Sequence, residues 1–288
     1  MKILYIAKKK EINPLYHELA NVSRIDLSNP YKPEDVSGAD VLVTDLTPIT
    51  AELLRKLSDR LKIVATLTTG TDHIDTAYLK EHGIRLVTLL DCKDLATITS
   101  TGEHTFGLII ALARHYKRAF RDPETPREEL RGQELQGKTL GIIGVGRVGK
   151  QVKKFGEVFG MRIKFFDPYL KTKGSLEDVL GNSDFVTIHA PLNDETRGMI
   201  TFKHFEAMKG TAAFINTSRG ELVEKGALVE ALRTAMINTA ASDFYDDEML
   251  EYAKHNDCLL LTNHLGGATV EGLEKADSLI ARELKKIL

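Results

Sequence analysis

The chain has 288 residues, enough for two domains of ordinary size, each with its own core. Hydrophobic residues make up 42% and charged residues 28%, and a formal net charge of −2 leaves no basic field to attract nucleic acid. The only cysteines, Cys92 and Cys258, lie far apart without CxxC spacing, which argues against a disulfide framework or a thiolate zinc site and fits a reducing, cytoplasmic setting.

In chain order, the apolar run at the N-terminus is followed at once by Lys8, Lys9 and Lys10; it is too short for a signal peptide and reads as a first strand, Ile3–Ala7. Pro14, after Asn13, suits the first turn of a helix. Strand-like runs follow at Val41–Thr44, Ile63–Leu67 and Arg85–Thr88, with an amphipathic stretch at Ala51–Leu57. A long apolar helix is expected over roughly Thr101–Tyr116. The stretch Arg118–Gly137 is charged, contains two prolines and two glycines, and reads as a connector over the surface. A second α/β unit follows. Its strands are expected at Thr139–Ile143, Arg162–Phe166, Asp184–Ile188, Ala212–Ile215, Asn238–Ala241 and Cys258–Leu261, with helical patterns such as Arg147–Phe159 and Lys225–Leu232. The chain closes with a helix, Val270–Ile287. Strand and helix alternating in this way predict parallel sheets covered by helices on both faces. No run approaches the roughly 18 to 20 apolar residues that cross a bilayer, so neither a membrane nor nucleic acid is expected as a partner.

The strongest local pattern joins the strand at Thr139 to Gly144, Gly146 and Gly149 in G-x-G-x-x-G spacing, with a helical pattern behind it. Gly144 permits a tight turn, Gly146 lets backbone approach a pyrophosphate, and Gly149 lets the helix pack closely on the strand. Phosphates then meet free N–H groups at a helix N-terminus. Asp167 ends the next strand, 18 residues after Gly149. A carboxylate there accepts hydrogen bonds from ribose hydroxyls and repels a 2′-phosphate. No Arg follows immediately, the next basic residues being Lys171 and Lys173, so NAD is favoured over NADP. The alternative is a strand-ending Asp before a proline turn, with glycines that merely shape a loop.

Three later strands end in polar turns, where ligands bind in open α/β sheets. One runs into Asn216, Thr217, Ser218, Arg219 and Gly220; another into Asp243 and the acids Asp246, Asp247 and Glu248; a third into His264, Gly266 and Gly267. A planar guanidinium suits a carboxylate, and an imidazole suits proton transfer in both directions near neutral pH. The plainer alternatives are a surface Arg beside a turn, a structural His, a solvated helix start at Glu248 and a strand-end cap at Asp243.

With these residues in order, the chain resembles the D-isomer-specific 2-hydroxyacid dehydrogenase family from about Ala65 to Thr269. The resemblance rests on Thr69-Gly70-Thr71-Asp72-His73-Ile74-Asp75, the glycine fingerprint, His189-Ala190-Pro191-Leu192, Asn216-Thr217-Ser218-Arg219-Gly220 and His264-Leu265-Gly266-Gly267. It implies two doubly wound, Rossmann-like parallel-sheet domains with an interdomain cleft. Residues 97–264 would form an NAD-binding domain, and residues 1–96 with 265–288 a discontinuous substrate domain. It implies that Arg219 holds the substrate carboxylate and polarises the keto oxygen, that His264 is the acid/base, and that Glu248 pairs with His264 and raises its pKa. It places Asp243 near the nicotinamide carboxamide and gives Thr69 and Gly70 backbone contacts to the substrate carboxylate. Arg147, Val148, Ala190, Pro191, Thr196, Thr217, Ser218, Gly266 and Gly267 match cofactor contacts. Glu103 matches a structural Glu. His73 and His104 could approach the cleft, and no metal site is implied.

The resemblance also implies a homodimer through the cofactor domains, to which the helix Thr101–Ala113 would contribute. Asn263 and Met249 stand where the family usually has Pro, and Thr68 where Gly is common. The Glu248-to-His264 segment is short, and the chain has no Trp. A non-catalytic NAD(H)-binding sensor or scaffold on the same fold is the rival reading.

Overall fold

The computed structural model describes residues 1–6, 12–25, 38–57, 60–170 and 174–288. Ala7, Lys8, Lys9, Lys10, Lys171 and Lys173 lie outside the described residues. The chain divides into two compact units, Met1–Ile98 with Thr269–Leu288, and Thr99–Ala268.

The first unit holds β1 (Lys2–Ile6), α1 (Pro14–Leu19), β2 (Asn21–Ile25), β3 (Val41–Thr44), α2 (Ala51–Leu57), β4 (Ile63–Thr66), α3 (Thr76–Glu81) and β5 (Arg85–Val87). Its five strands are parallel in the order β2-β1-β3-β4-β5. The strands are apolar on both faces because both are covered. Leu4, Ile6, Leu42 and Val64 pack with Leu53, Leu54 and Leu57 of α2. Ile3, Tyr5, Val43 and Ala65 pack with Tyr16 and with Leu279, Ile280 and Leu284 of the C-terminal helix Val270–Ile287. A buried hydrogen bond from Tyr5 Oη to Asp277 Oδ1 (3.0 Å) pins that helix to β1, and Tyr16 Oη donates to the Asp277 carbonyl (3.2 Å). Strand β2 was absent from the sequence-based expectation. It is a half-buried edge strand, Asn-Val-Ser-Arg-Ile, that carries little of the apolar pattern.

The second unit begins with α4 (Ser100–Ala113) and α5 (Tyr116–Arg121). The single helix expected to Tyr116 is broken at His115, whose φ of 51° is left-handed. The expected connector is correspondingly shorter, because α5 occupies its start. Lys117 of α5 donates to the carbonyls of Ala253 (2.5 Å), Asn256 (3.0 Å) and Leu259 (2.8 Å). The rest of the connector packs back on α4 with no room for a side chain at Gly132, where a Cβ would lie 2.2 Å from the Ala113 carbonyl oxygen.

Beyond it run β6 (Thr139–Ile143), α6 (Arg147–Val158), β7 (Arg162–Phe166), α7 (Leu176–Asn182), β8 (Phe185–Ile188), α8 (Phe202–Glu206), β9 (Ala213–Asn216), α9 (Ala227–Arg233), β10 (Thr239–Ser242), α10 (Asp247–His255) and β11 (Leu259–Leu261). The six strands are parallel in the order β11-β10-β9-β8-β6-β7. One face packs Val186, Ile188 and Phe214 against Leu180, Phe205 and Leu228; the other packs Leu140, Ile142 and Ile215 against Ile109 and Val152. Both units are doubly wound, Rossmann-like parallel sheets, as expected. The winding of the second reverses between β6 and β8, the point where such sheets open a ligand crevice at the strand carboxyl ends. Among the described residues no helix is long and apolar enough to cross a membrane.

Candidate active site

The β6–α6 turn is shaped by three glycines with three different requirements. Gly144 has φ +87°, and a Cβ on it would sit 2.8 Å from the His189 carbonyl oxygen. Gly149 lies in the first turn of α6, where a Cβ would sit 2.1 Å from the Gly144 carbonyl oxygen. Gly146 is the reverse case: exposed, at the N-cap of α6, with nothing within 4 Å of a Cβ position. The turn is closed around itself and open at its tip, which fits a pyrophosphate at the helix N-terminus. Arg147 and Val148 follow, both half-buried in the first turn.

Asp167 braces this turn. Its Oδ2 accepts from the Val145 N–H (2.8 Å) and its Oδ1 from the Tyr169 N–H (3.0 Å). The carboxylate is half-buried at the end of β7. The neighbouring β8 turn carries His189, Ala190 and Pro191. Thr196 folds over it, donating from Oγ1 to the Pro191 carbonyl (2.6 Å). Neither ring nitrogen of His189 has a partner among the described residues, and burial lowers its pKa to about 3. That imidazole is neutral at working pH.

The next strand ends deliver the polar groups. After β9, Thr217 is buried with its Oγ1 2.7 Å from Thr105 Oγ1 of α4. Ser218 Oγ donates to the Ile188 carbonyl (2.8 Å), and Asn216 Nδ2 donates to the Arg219 carbonyl (2.8 Å). The backbone of Arg219 is thus held by its own strand end. Its guanidinium donates to the Ser218 carbonyl (2.7 Å) and lies 5.8 Å from the centre of the Phe244 ring. The His264 ring lies 4.6 Å from that same ring, tilted by 51°. Arg219 and His264 therefore flank one aromatic, on the turns after β9 and β11. A cavity of about 660 Å³ opens beside them, lined by Asn216, Lys225, Ser242, Phe244, Met249 and His264 among others.

Two expected site residues have their carboxylates engaged within the protein. Glu248, in the first turn of α10, pairs with Arg233 of α9 (3.1 Å) and not with His264. With 40% of its side chain exposed, it keeps that partner at little desolvation cost. Asp243 is 1% exposed and turns both carboxylate oxygens onto the His264 segment, accepting from Thr262 Oγ1, Leu265 N and Gly266 N. Burial pushes its pKa up, but hydrogen bonds from His104, Thr262, Leu265 and Gly266 together hold it below the usual carboxylate range. Gly266 is buried against Asp243 and Thr101, whereas Gly267 is exposed and open.

In the first unit, the loop bearing Thr69 and Gly70 is braced from below. Thr68 Oγ1 donates to the Gly70 carbonyl (2.6 Å) and lies 2.8 Å from Thr66 Oγ1, which in turn is 3.2 Å from His73 Nε2. Among the described residues, no backbone hydrogen bond is made by the N–H of Thr69 or Gly70. Thr68, where Gly is common, thus gives the loop an internal strut. Glu103 accepts from Thr99 Oγ1 (2.6 Å) at the start of α4, a side-chain contact within the first turn. Sequence reasoning missed Phe244, whose value lies only in sitting between two distant residues, and went no further for His104 than that it could approach the cleft. Among the described residues there is no cluster able to hold a metal ion.

Residues 106–266 match the model of the D-isomer specific 2-hydroxyacid dehydrogenase NAD binding domain. The chain is 34% identical over 274 residues to a D-3-phosphoglycerate dehydrogenase of Methanocaldococcus jannaschii, covering 88% of this chain and 51% of that protein. It thus spans about half the length of that relative. It is 40% identical over 233 residues to a glyoxylate reductase of Aeropyrum pernix, covering 74% of this chain and 68% of that one. Among solved structures, a D-lactate dehydrogenase from Aquifex aeolicus complexed with NAD and lactic acid superposes with a TM-score of 0.81. It is 27% identical, with 99% of this chain and 95% of that one covered. The fingerprint turn, the acid at the end of β7 and the matched domain agree: this chain belongs to the D-isomer specific 2-hydroxyacid dehydrogenases and carries their NAD binding domain.

Proposed function

We propose that the protein interconverts a D-2-hydroxy acid and a 2-keto acid with NAD as the redox partner. The observation that carries this reading is the convergence of Arg219 and His264 on Phe244, at the strand carboxyl ends of an NAD-binding sheet. Gly144, Gly146, Gly149, Arg147 and Val148 hold the pyrophosphate, and Asp167 accepts from the ribose hydroxyls and disfavours a 2′-phosphate. Ala190, Pro191, Thr196, Thr217, Ser218, Asp243, Gly266 and Gly267 complete the cofactor's surroundings.

Bound NADH supplies the hydride that reaches the keto carbon. Arg219 grips the substrate carboxylate and draws electron density onto the keto oxygen. In the first unit, the backbone N–H groups of Thr69 and Gly70 are suited to binding a carboxylate. His264 donates a proton to the keto oxygen as the carbon is reduced, and takes it back in the reverse direction. Glu248 is the carboxylate proposed to pair with His264, which requires it to exchange Arg233 for the imidazole. The same reading includes a homodimer through the NAD binding domains and a cytoplasmic location.

The test is a panel of small 2-keto acids and 2-hydroxy acids with NAD(H) and NADP(H). Glyoxylate, hydroxypyruvate and D-3-phosphoglycerate belong in it because relatives are named for acting on them. Turnover of at least one acid with NAD(H) in clear preference to NADP(H) is expected. Binding of NADH with no turnover across the panel would favour a second reading, a non-catalytic NAD(H) sensor. One observation speaks for that reading: the Glu248 carboxylate, expected at the acid/base, is engaged by Arg233 (3.1 Å).

A further inference from the structure

His264 sits in the left-handed region, with φ 52°, a conformation that costs a non-glycine residue on the order of 1 kcal/mol or more. One residue holds it there from both sides. The Asp243 carbonyl accepts from the His264 N–H (2.9 Å), while its carboxylate accepts from Thr262 Oγ1 (2.6 Å), Leu265 N (2.7 Å) and Gly266 N (2.8 Å). The whole turn from 262 to 266 is therefore hung on Asp243.

A further group reaches this assembly from outside it. His104, on the buried helix α4, places Nε2 3.2 Å from Thr262 Oγ1 and 3.3 Å from Asp243 Oδ1. The Thr262 hydroxyl proton is committed to Asp243, so both groups facing Nε2 are acceptors, and Nε2 must carry the proton. His104 is thereby a donor shared between the carboxylate and the hydroxyl that define the turn. Helix α4 makes a firm base for it. The helix packs its apolar face under β9 and β10, and its Thr101 side chain abuts Gly266.

We propose that His104 is a positioning residue for His264, acting through Asp243 and Thr262 to hold the imidazole-bearing turn in its left-handed conformation. The inference rests on the reading of His264 as the proton donor, and it adds a residue that acts through Asp243 and Thr262. A structural histidine would matter only for stability. A positioning histidine matters for the chemical step and its work is done by an N–H, which a glutamine can supply from nearly the same place.

The experiment compares wild type, His104→Leu and His104→Gln in four measurements. These are the tautomer of His104 by long-range ¹H–¹⁵N NMR, amide exchange at Leu265 and Gly266 without cofactor, NADH affinity, and kcat and KM for the best keto acid. The expected result is Nε2-protonated His104 and faster exchange at Leu265 and Gly266 in His104→Leu. For the same variant kcat falls about tenfold, with KM and NADH affinity within about threefold of wild type. His104→Gln restores most of both. An Nδ1-protonated His104, equal exchange in all three proteins, or equal kcat loss in the Gln and Leu variants would overturn the proposal. If His104→Leu does not fold, the tautomer and His104→Gln still decide. His264→Ala, run alongside, separates the two levels: if it keeps full turnover the proton-donor reading fails, while the exchange data still report on His104.

Discussion

The three fingerprint glycines make separable predictions, because the space around each differs. At Gly149 a Cβ would meet the Gly144 carbonyl oxygen at 2.1 Å, a distance that backbone cannot yield cheaply. Helix α6 would have to retreat by about 1 Å to restore ordinary contact, and overpacking of this kind costs roughly 1–3 kcal/mol. In a unit of this size, that lowers the thermal midpoint by about 2–12 °C. At Gly146 nothing lies within 4 Å of a Cβ, and φ is −72°, so alanine is tolerated by the fold. Its methyl group, however, occupies the approach expected of the pyrophosphate. Gly149→Ala should therefore lose stability in urea and thermal unfolding. Gly146→Ala should unfold like wild type while losing NADH affinity by about tenfold or more in a fluorescence titration. A Gly146→Ala protein that binds NADH as wild type does would refute the placement of the phosphates. A Gly149→Ala protein of unchanged stability would refute the packing argument.

Two further predictions use groups near the same turn. Asp167→Ser should narrow the preference for NADH over NADPH by about tenfold, since it removes a carboxylate that repels a 2′-phosphate; a steady-state comparison of the two cofactors checks it. His189 is buried with a pKa of about 3, so between about pH 6.5 and 4 the unfolded chain binds a proton that the folded chain does not. Stability should then fall as pH falls through that window, with a slope of at most about 1.4 kcal/mol per pH unit from this group. His189→Asn, compared with wild type by urea unfolding from pH 7 to 4.5, should flatten the slope.

What the sequence showed and what it hid have physical reasons. The glycine spacing is legible because Gly144 and Gly149 answer backbone constraints that a Cβ would violate and Gly146 keeps the tip open, and Asp167 because a strand, a turn and a helix fix where it must fall. Strands such as Val41–Thr44 and Ile63–Thr66 announce themselves by burial on both faces. The edge strand Asn21–Ile25 does not, since only Ile25 is buried. The connector misled because prolines, glycines and charges mark irregular backbone without saying what it touches. Lys117, which closes three carbonyls at the end of α10 and on β11, looks in sequence like any surface lysine.

Side-chain direction was the least legible property. Glu248 matches the family's Glu on a shortened segment, and Arg233, 15 residues earlier, holds its carboxylate. Asp243 was identified as a site residue, but not that its carboxylate would be spent on the turn that carries His264. His104 and Phe244 gain their roles only from strands brought together by the fold, at separations of 139 and 20 residues respectively from Asp243 and His264.

The most direct measurement of the central claim is single-turnover reduction of a 2-keto acid by enzyme-bound NADH, followed by stopped flow in wild type and His264→Ala. The account predicts that His264→Ala binds NADH with wild-type affinity and slows hydride transfer by at least about 100-fold, the usual worth of a positioned proton donor. Hydride transfer at the wild-type rate in His264→Ala would contradict it.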